Sequence, residues 1–202
     1  MLVLKNQPQA EIVVKRSRFI SEMFPLSGTQ EGAREFLRQR KEQWSGQGIR
    51  HLVHAFIVGP GANVFSCSDD GEPSGTAGRP VLEVLKGSGI TNVMLTVARY
   101  FGGIKLGTGG LVKAYTESAQ AVLALAETCE LVPMLHFRVN APFSCHERIK
   151  LLLVSVGATL DDISFGAKGV QFTGTMREEQ YPNARQACLD ASRGQADLEL
   201  MA

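Results

Sequence analysis

Little in this 202-residue chain suggests a membrane or the cell exterior. No window approaches the roughly 18 uncharged apolar residues that a spanning helix needs, so no membrane span is expected. Met1 to Ala10 lacks the basic segment and apolar run of a signal peptide, which makes the cytoplasm the expected location. The four cysteines, Cys67, Cys129, Cys145 and Cys188, are scattered and form no C-x-x-C. That pattern speaks against a zinc ribbon or a disulfide framework and predicts free thiols in a reducing compartment. A surplus of charge is missing too. The chain has 21 Lys and Arg against 20 Asp and Glu, a net charge of +1. No global field would draw it to nucleic acid or to an anionic surface, so any such binding must use a local patch. Internal repeats and low-complexity segments are also absent.

What remains is an ordinary globular composition, 44% hydrophobic and 20% charged, long enough for two domains of roughly 100 residues. Residues 11–24 read as a strand region ending before Pro25. A helical pattern opens at Thr29 or Gln30 and stops at Gly46 and Gly48. His51 to Val58 reads as a strand, Ser66 to Gly78 as a polar loop, and Pro80 to Lys86 as a short helix. Asn92 to Tyr100 is a nearly unbroken apolar run, typical of a strand covered on both faces. Five glycines then lead into a helix over Leu111 to Ala126.

Pro133 marks a boundary. Beyond it the elements read strand (135–141), helix (145–156), strand (158–165), strand (170–177), helix (179–192), strand (195–201), each closed by its own turn residues. That βαββαβ order is the ferredoxin-like split pattern. The expectation is an α+β chain with a first domain over residues 1–131 and a ferredoxin-like second domain over residues 132–202.

Three groups of residues could carry chemistry. Asp69, Asp70 and Glu72 crowd three carboxylates into the loop Ser68-Asp69-Asp70-Gly71-Glu72-Pro73. Such a cluster is relieved by water, backbone N–H groups or a cation. It reads either as a cation or basic-partner site, or as turn chemistry at the entrance of the next helix. The spacing of a Ca²⁺ loop is not met.

The second group is Arg99-Tyr100-Phe101-Gly102-Gly103-Ile104-Lys105-Leu106-Gly107-Thr108-Gly109-Gly110. A glycine-rich turn before a helix lets backbone N–H groups approach an anion, with Arg99, Lys105 and Lys113 adding charge. Neither the Walker nor the dinucleotide spacing fits, because Thr108 stands where a lysine and Val112 where a glycine would be needed. Packing turns alone are the competing reading.

The third group is His51 and His54. Three apart on a strand, they point to opposite faces and cannot share a metal, so one buried and one exposed histidine is expected. No nucleophile set emerges: the acidic loop beside Cys67 raises its pKa, and no G-x-S-x-G elbow occurs.

Taken together, Lys15-Arg16-Ser17-Arg18-Phe19-Ile20, the stretch Ser68 to Pro80 and the stretch Arg99 to Tyr115 resemble the motifs of the IMPACT family, in its bacterial YigZ-like branch. The resemblance implies a first domain of the ribosomal-protein S5 domain 2-like fold, and a second domain similar to the C-terminal domain of elongation factor G. Both folds recur in proteins that touch RNA or the ribosome, and eukaryotic relatives act in translational control. Family members often carry His-x-Cys on the second strand. Here Val53 stands at the cysteine position, so a mechanism requiring that cysteine is excluded.

The leading expectation is therefore a protein that binds RNA or the ribosome. Arg18, Arg99, Lys105 and Lys113 would meet phosphates in a groove between the acidic and glycine loops, and His51, Tyr100, Gly102, Gly103, Thr108, Gly109 and Gly110 would complete it. Two alternatives stand beside it. One is an enzyme acting on a small phosphorylated or anionic substrate, with the acids holding Mg²⁺ or moving protons. The other is a module whose acids meet a basic protein partner.

Overall fold

The computed structural model describes residues 1–44, 46 and 48–201. The chain forms two compact units, Met1–Leu131 and Val132–Ala202. The first runs β1 (Leu2–Leu4), β2 (Gln9–Val14), β3 (Ser17–Pro25), α1 (Gln30–Trp44), β4 (His51–Val58), β5 (Val64–Ser68), α2 (Gly78–Gly87), β6 (Ile90–Thr91), β7 (Val93–Tyr100), α3 (Gly107–Leu123) and β8 (Thr128–Glu130). Its main sheet has the order β2-β3-β7-β4-β5, and every pairing is antiparallel. A small second sheet joins β6, β1 and β8.

The apolar run of β7 is explained by its place at the centre of that sheet. Val93, Leu95 and Val97 face a core built with Phe19, Met23, Val53, Ala55, Leu85 and Tyr115, against α2 and α3. Met94 packs on the opposite face with Phe56, Val58 and Ala33 of α1, and Ala98 with Ile20 and Leu52. Covering an antiparallel strand on both sides removes the usual alternation of apolar and polar residues. Burying each such Leu, Val or Phe contributes about 1.5–3 kcal/mol.

Three readings of the sequence need correction. Residues 11–24 belong to two strands, not one. They turn over at Lys15 and Arg16, which take left-handed φ of 45° and 68°. This is the backbone of a tight hairpin, normally signalled by Asn-Gly and here built from two long cations. The polar stretch from Ser66 begins inside β5. Gly107 to Gly110 form the first turn of α3 and not a loop before it.

The second unit runs β9 (Met134–Ala141), a single 3-10 turn, α4 (His146–Ser155), β10 (Thr159–Gly166), β11 (Gly169–Arg177), a second 3-10 turn, α5 (Tyr181–Ser192) and β12 (Asp197–Leu200). Its sheet order is β10-β11-β9-β12, all antiparallel. This is the ferredoxin-like arrangement, with Phe137, Val139, Phe172 and Leu198 packed on Ile149, Leu153 and Cys188. In β11, Gln171, Thr173 and Thr175 alternate with buried Val170, Phe172 and Met176. The face of β11 away from the core is thus polar.

Candidate anion-binding site

Strand parity sets what can meet at the end of the first sheet. Arg99, near the end of β7, lies opposite Phe19 of β3 and His51 of β4. Residues directly opposite share a face, so all three point toward the α2 and α3 layer. There the Arg99 Nη1 donates to Glu72 Oε1 at 2.6 Å, and the Tyr115 hydroxyl of α3 donates to the same oxygen at 2.8 Å. All three are buried. Burial and the Glu72 charge push the Tyr115 phenol far above its ordinary range, so it remains a donor. The Arg99 Nε is buried with no hydrogen-bond partner.

Around this triad is a cavity of about 500 Å³. It is lined by Arg50, His51, Glu72 and Pro73, and by Arg99, Phe101, Lys105, the start of α3 from Leu106 to Thr108, and Leu111. Among the lining side chains, three cations oppose one carboxylate already held by Arg99. The N-terminus of α3 carries no side-chain cap and no acid in its first turn. Its free N–H groups and dipole favour an anion. Phe101 is 51% exposed, and the Arg99 guanidinium lies 5.7 Å from its ring centre.

His51 has a fixed tautomer. Its Nδ1 lies 2.7 Å from the backbone oxygen of Asp70. A carbonyl can only accept, so Nδ1 carries the proton, and Nε2 of the neutral ring is left as an acceptor. Gly71, with φ of 89°, makes room for this contact: a Cβ there would sit 3.2 Å from Nδ1.

The acidic loop serves the site as scaffold. Asp69 accepts from the backbone N–H groups of Gly75, Ala77 and Gly78 and so closes the start of α2. Asp70 accepts from Leu52 N and Lys41 Nζ. Glu72 belongs to the buried triad. The three carboxylates therefore serve three different purposes and do not converge. Among the described residues no group of three or more His, Cys, Asp or Glu could hold a metal ion.

Burial tends to raise the Asp69 carboxyl, but the three N–H donors outweigh it and hold it below its usual value. Asp70 is also lowered, by Lys41 and Leu52 N against burial. A depressed folded-state pKa contributes stability that is present above about pH 4 and lost as pH falls through the lowered value. Urea midpoints measured from pH 7 to pH 2.5 should therefore drop below about pH 4. Asp69→Asn should flatten that drop and cost about 1–2 kcal/mol at pH 7.

His51, Glu72, Arg99, Lys105 and Thr108 of the expected set line the cavity; the others do not. Arg18 and Tyr100 pair across β3 and β7 on the opposite face of the sheet. Arg18 is held by Glu11 through two hydrogen bonds. Lys113 is exposed on α3, 3.8 Å from Glu117. Gly102 packs against the β2–β3 turn, Gly103 takes a left-handed φ of 84°, and Gly110 lies under Leu106. Gly109 is exposed in the first turn of α3. His54 is buried on the α1 side, where desolvation lowers its pKa and keeps it neutral. The Cys67 thiol is raised, by burial first and Asp69 second.

Sequence reasoning missed Arg50, Phe101 and Tyr115. Parity could have found Phe101, two residues beyond Arg99. A larger cavity of about 670 Å³ lies in the second unit, walled by residues 140–142 and the β10–β11 turn. Among the described residues Lys168 is the one charged side chain on its walls, which makes it a poorer anion site.

The Impact N-terminal domain profile matches residues 15–123, a span that contains every residue lining the 500 Å³ cavity. The chain belongs to the IMPACT family. It is 32% identical over 197 residues to the IMPACT family member YvyE of Bacillus subtilis, covering 97% of this chain and 88% of the relative. It is 36% identical over 142 residues to the IMPACT family member YigZ of Escherichia coli, covering 69% of this chain and 68% of the relative. A solved structure described as a hypothetical protein superposes with a TM-score of 0.74 at 28% identity, over 100% of this chain and 97% of that one. The alignment with the Bacillus subtilis relative covers residues of both units of this IMPACT family member.

Proposed function

We propose that this protein binds single-stranded RNA, free or at an exposed segment of the ribosome, with one nucleotide seated in the 500 Å³ cavity. The observation that carries the reading is the combination of three cations and an uncapped helix N-terminus with a half-exposed phenylalanine on the same walls. Cations that track phosphates beside an aromatic ring that stacks a base are the recurring parts of single-strand sites. The volume is that of a site for a small molecule or a single residue of a polymer. With a net charge of +1, the protein lacks the long-range attraction of strongly basic RNA binders, so affinity should be modest and local.

The test is a salt series with fluorescein-labelled tetrauridylate, read by anisotropy. Affinity should fall as salt rises. Arg50→Ala with Lys105→Ala should weaken binding about tenfold at low salt and reduce the slope of log K against log salt by about one to two. Arg18→Ala and Lys113→Ala, away from the cavity, should change little. Salt-independent affinity, or equal affinity in the Arg50/Lys105 variant, rejects the reading. The volume of the cavity also suits one second reading, a small phosphorylated ligand. Uridine monophosphate competing as well as the tetranucleotide would select it.

A further inference from the structure

We infer that His51 reads the ribose 2′-hydroxyl of the seated nucleotide and so makes the site selective for RNA over DNA. The inference rests on the RNA-binding reading and adds to it a specificity-determining residue.

Donors dominate the walls of the cavity. Arg50, Arg99 and Lys105 can only donate, and so can the N–H groups at the start of α3. The Arg99 Nε is buried and unpartnered, so the guanidinium has capacity beyond its bond to Glu72. Every one of these groups suits an anion. Acceptors are scarce. The Glu72 carboxylate already takes bonds from Arg99 and Tyr115 through Oε1. Beside the other oxygen of that carboxylate, that leaves Thr108 Oγ1 and the His51 Nε2. The second is set by the fold, because the Asp70 carbonyl claims the Nδ1 proton at 2.7 Å.

Phosphate oxygens carry no proton to give such an acceptor, whereas a ribose hydroxyl does. The matching ligand therefore bears an anion, a flat ring and a hydroxyl between them. A ribonucleotide has all three, and a deoxyribonucleotide lacks the last. The 2′-hydroxyl is also the group by which a protein tells the two polymers apart. The backbone of the acidic loop is the positioning element, since Asp70 and Gly71 hold the imidazole in this tautomer.

The experiment compares tetrauridylate, its 2′-deoxy form and its 2′-O-methyl form, each fluorescein-labelled, on the wild-type protein at low salt. The ribo form should bind about five- to tenfold more tightly than the other two, the value of one neutral hydrogen bond. His51→Leu should bring the ribo-to-deoxy affinity ratio down to about one. His51→Gln, whose amide oxygen can accept, should restore part of the difference. Ribo and deoxy forms binding equally to the wild type, 2′-O-methyl binding like ribo, or discrimination surviving His51→Leu overturns the inference while the RNA reading stands. Binding of none of the three rejects the RNA reading itself. Because all three ligands are compared on the wild type, a lack of discrimination there overturns the inference even if a His51 variant fails to fold.

Discussion

Replacing Glu72 by alanine is expected to destabilise the first unit by about 3–5 kcal/mol and, at the same time, to tighten its hold on anions. The two effects have one cause. Glu72 and Arg99 form an ion pair at 2.6 Å with side chains only 4% and 8% exposed. Removing one partner leaves the other as an uncompensated buried charge, which costs far more than the pair contributes. It also strips the Tyr115 hydroxyl of its acceptor inside the core. Urea titration of Glu72→Ala measures the loss. Glu72→Leu with Arg99→Met, which removes both charges, should recover most of it. A loss below about 1 kcal/mol in the single variant would mean that Arg99 is already satisfied by other groups. In the folded protein, Arg99 freed from Glu72 raises the positive potential of the cavity. Tetrauridylate should then bind several-fold more tightly at low salt, and a weaker complex would show that Glu72 itself belongs to the ligand site. Tyr115→Phe removes one hydrogen bond to a charged group and should cost about 1.5–3 kcal/mol.

The layout of strands and helices was largely readable because its signals are local. Period-2 and period-3.6 patterns end at glycines and prolines, and the second unit carries a stop at every element. The misses have physical reasons too. β1, β6 and β8 are two or three residues long and leave no period to detect. The β2–β3 turn uses Lys15 and Arg16 where glycine or asparagine is the usual sign. The site was half legible. Composition drew attention to the acidic and glycine-rich segments, and both reach the same cavity. What composition could not assign was the use of each group. Asp69, Asp70 and Glu72 look alike in sequence. Their backbone positions send one to a helix start, one to the beginning of β4 and one into a buried triad. Arg18 and Arg99 likewise look equivalent, yet Arg99 pairs with Phe19 while Arg18 pairs with Tyr100, so parity places the two cations on opposite faces.

The same parity makes Gly102 the residue whose change should do most damage outside the triad. A Cβ at Gly102 would overlap the backbone of Arg16 and Ser17, and the Gly102 N–H donates to the Ser17 hydroxyl at 3.2 Å. The obstacle is main chain and not the free end of a side chain, so the β2–β3 turn or the segment after β7 must move. Lys15 and Arg16 already hold left-handed backbone, which leaves that turn little freedom to yield. Gly102→Ala should therefore cost about 1–3 kcal/mol in urea titration, as other overpacked sites do. The segment after β7 carries Phe101 and, three residues beyond Gly102, Lys105. Its displacement should weaken tetrauridylate binding about tenfold or more at a temperature where the variant is fully folded, a loss comparable to that of Arg50→Ala with Lys105→Ala. Gly103→Ala is the control: φ is 84° but nothing lies within 4 Å, so strain is present without a clash. Its cost should be smaller, about 1 kcal/mol, with binding changed less. Equal behaviour of the two variants would mean that backbone conformation, and not the close approach to Arg16, governs this segment.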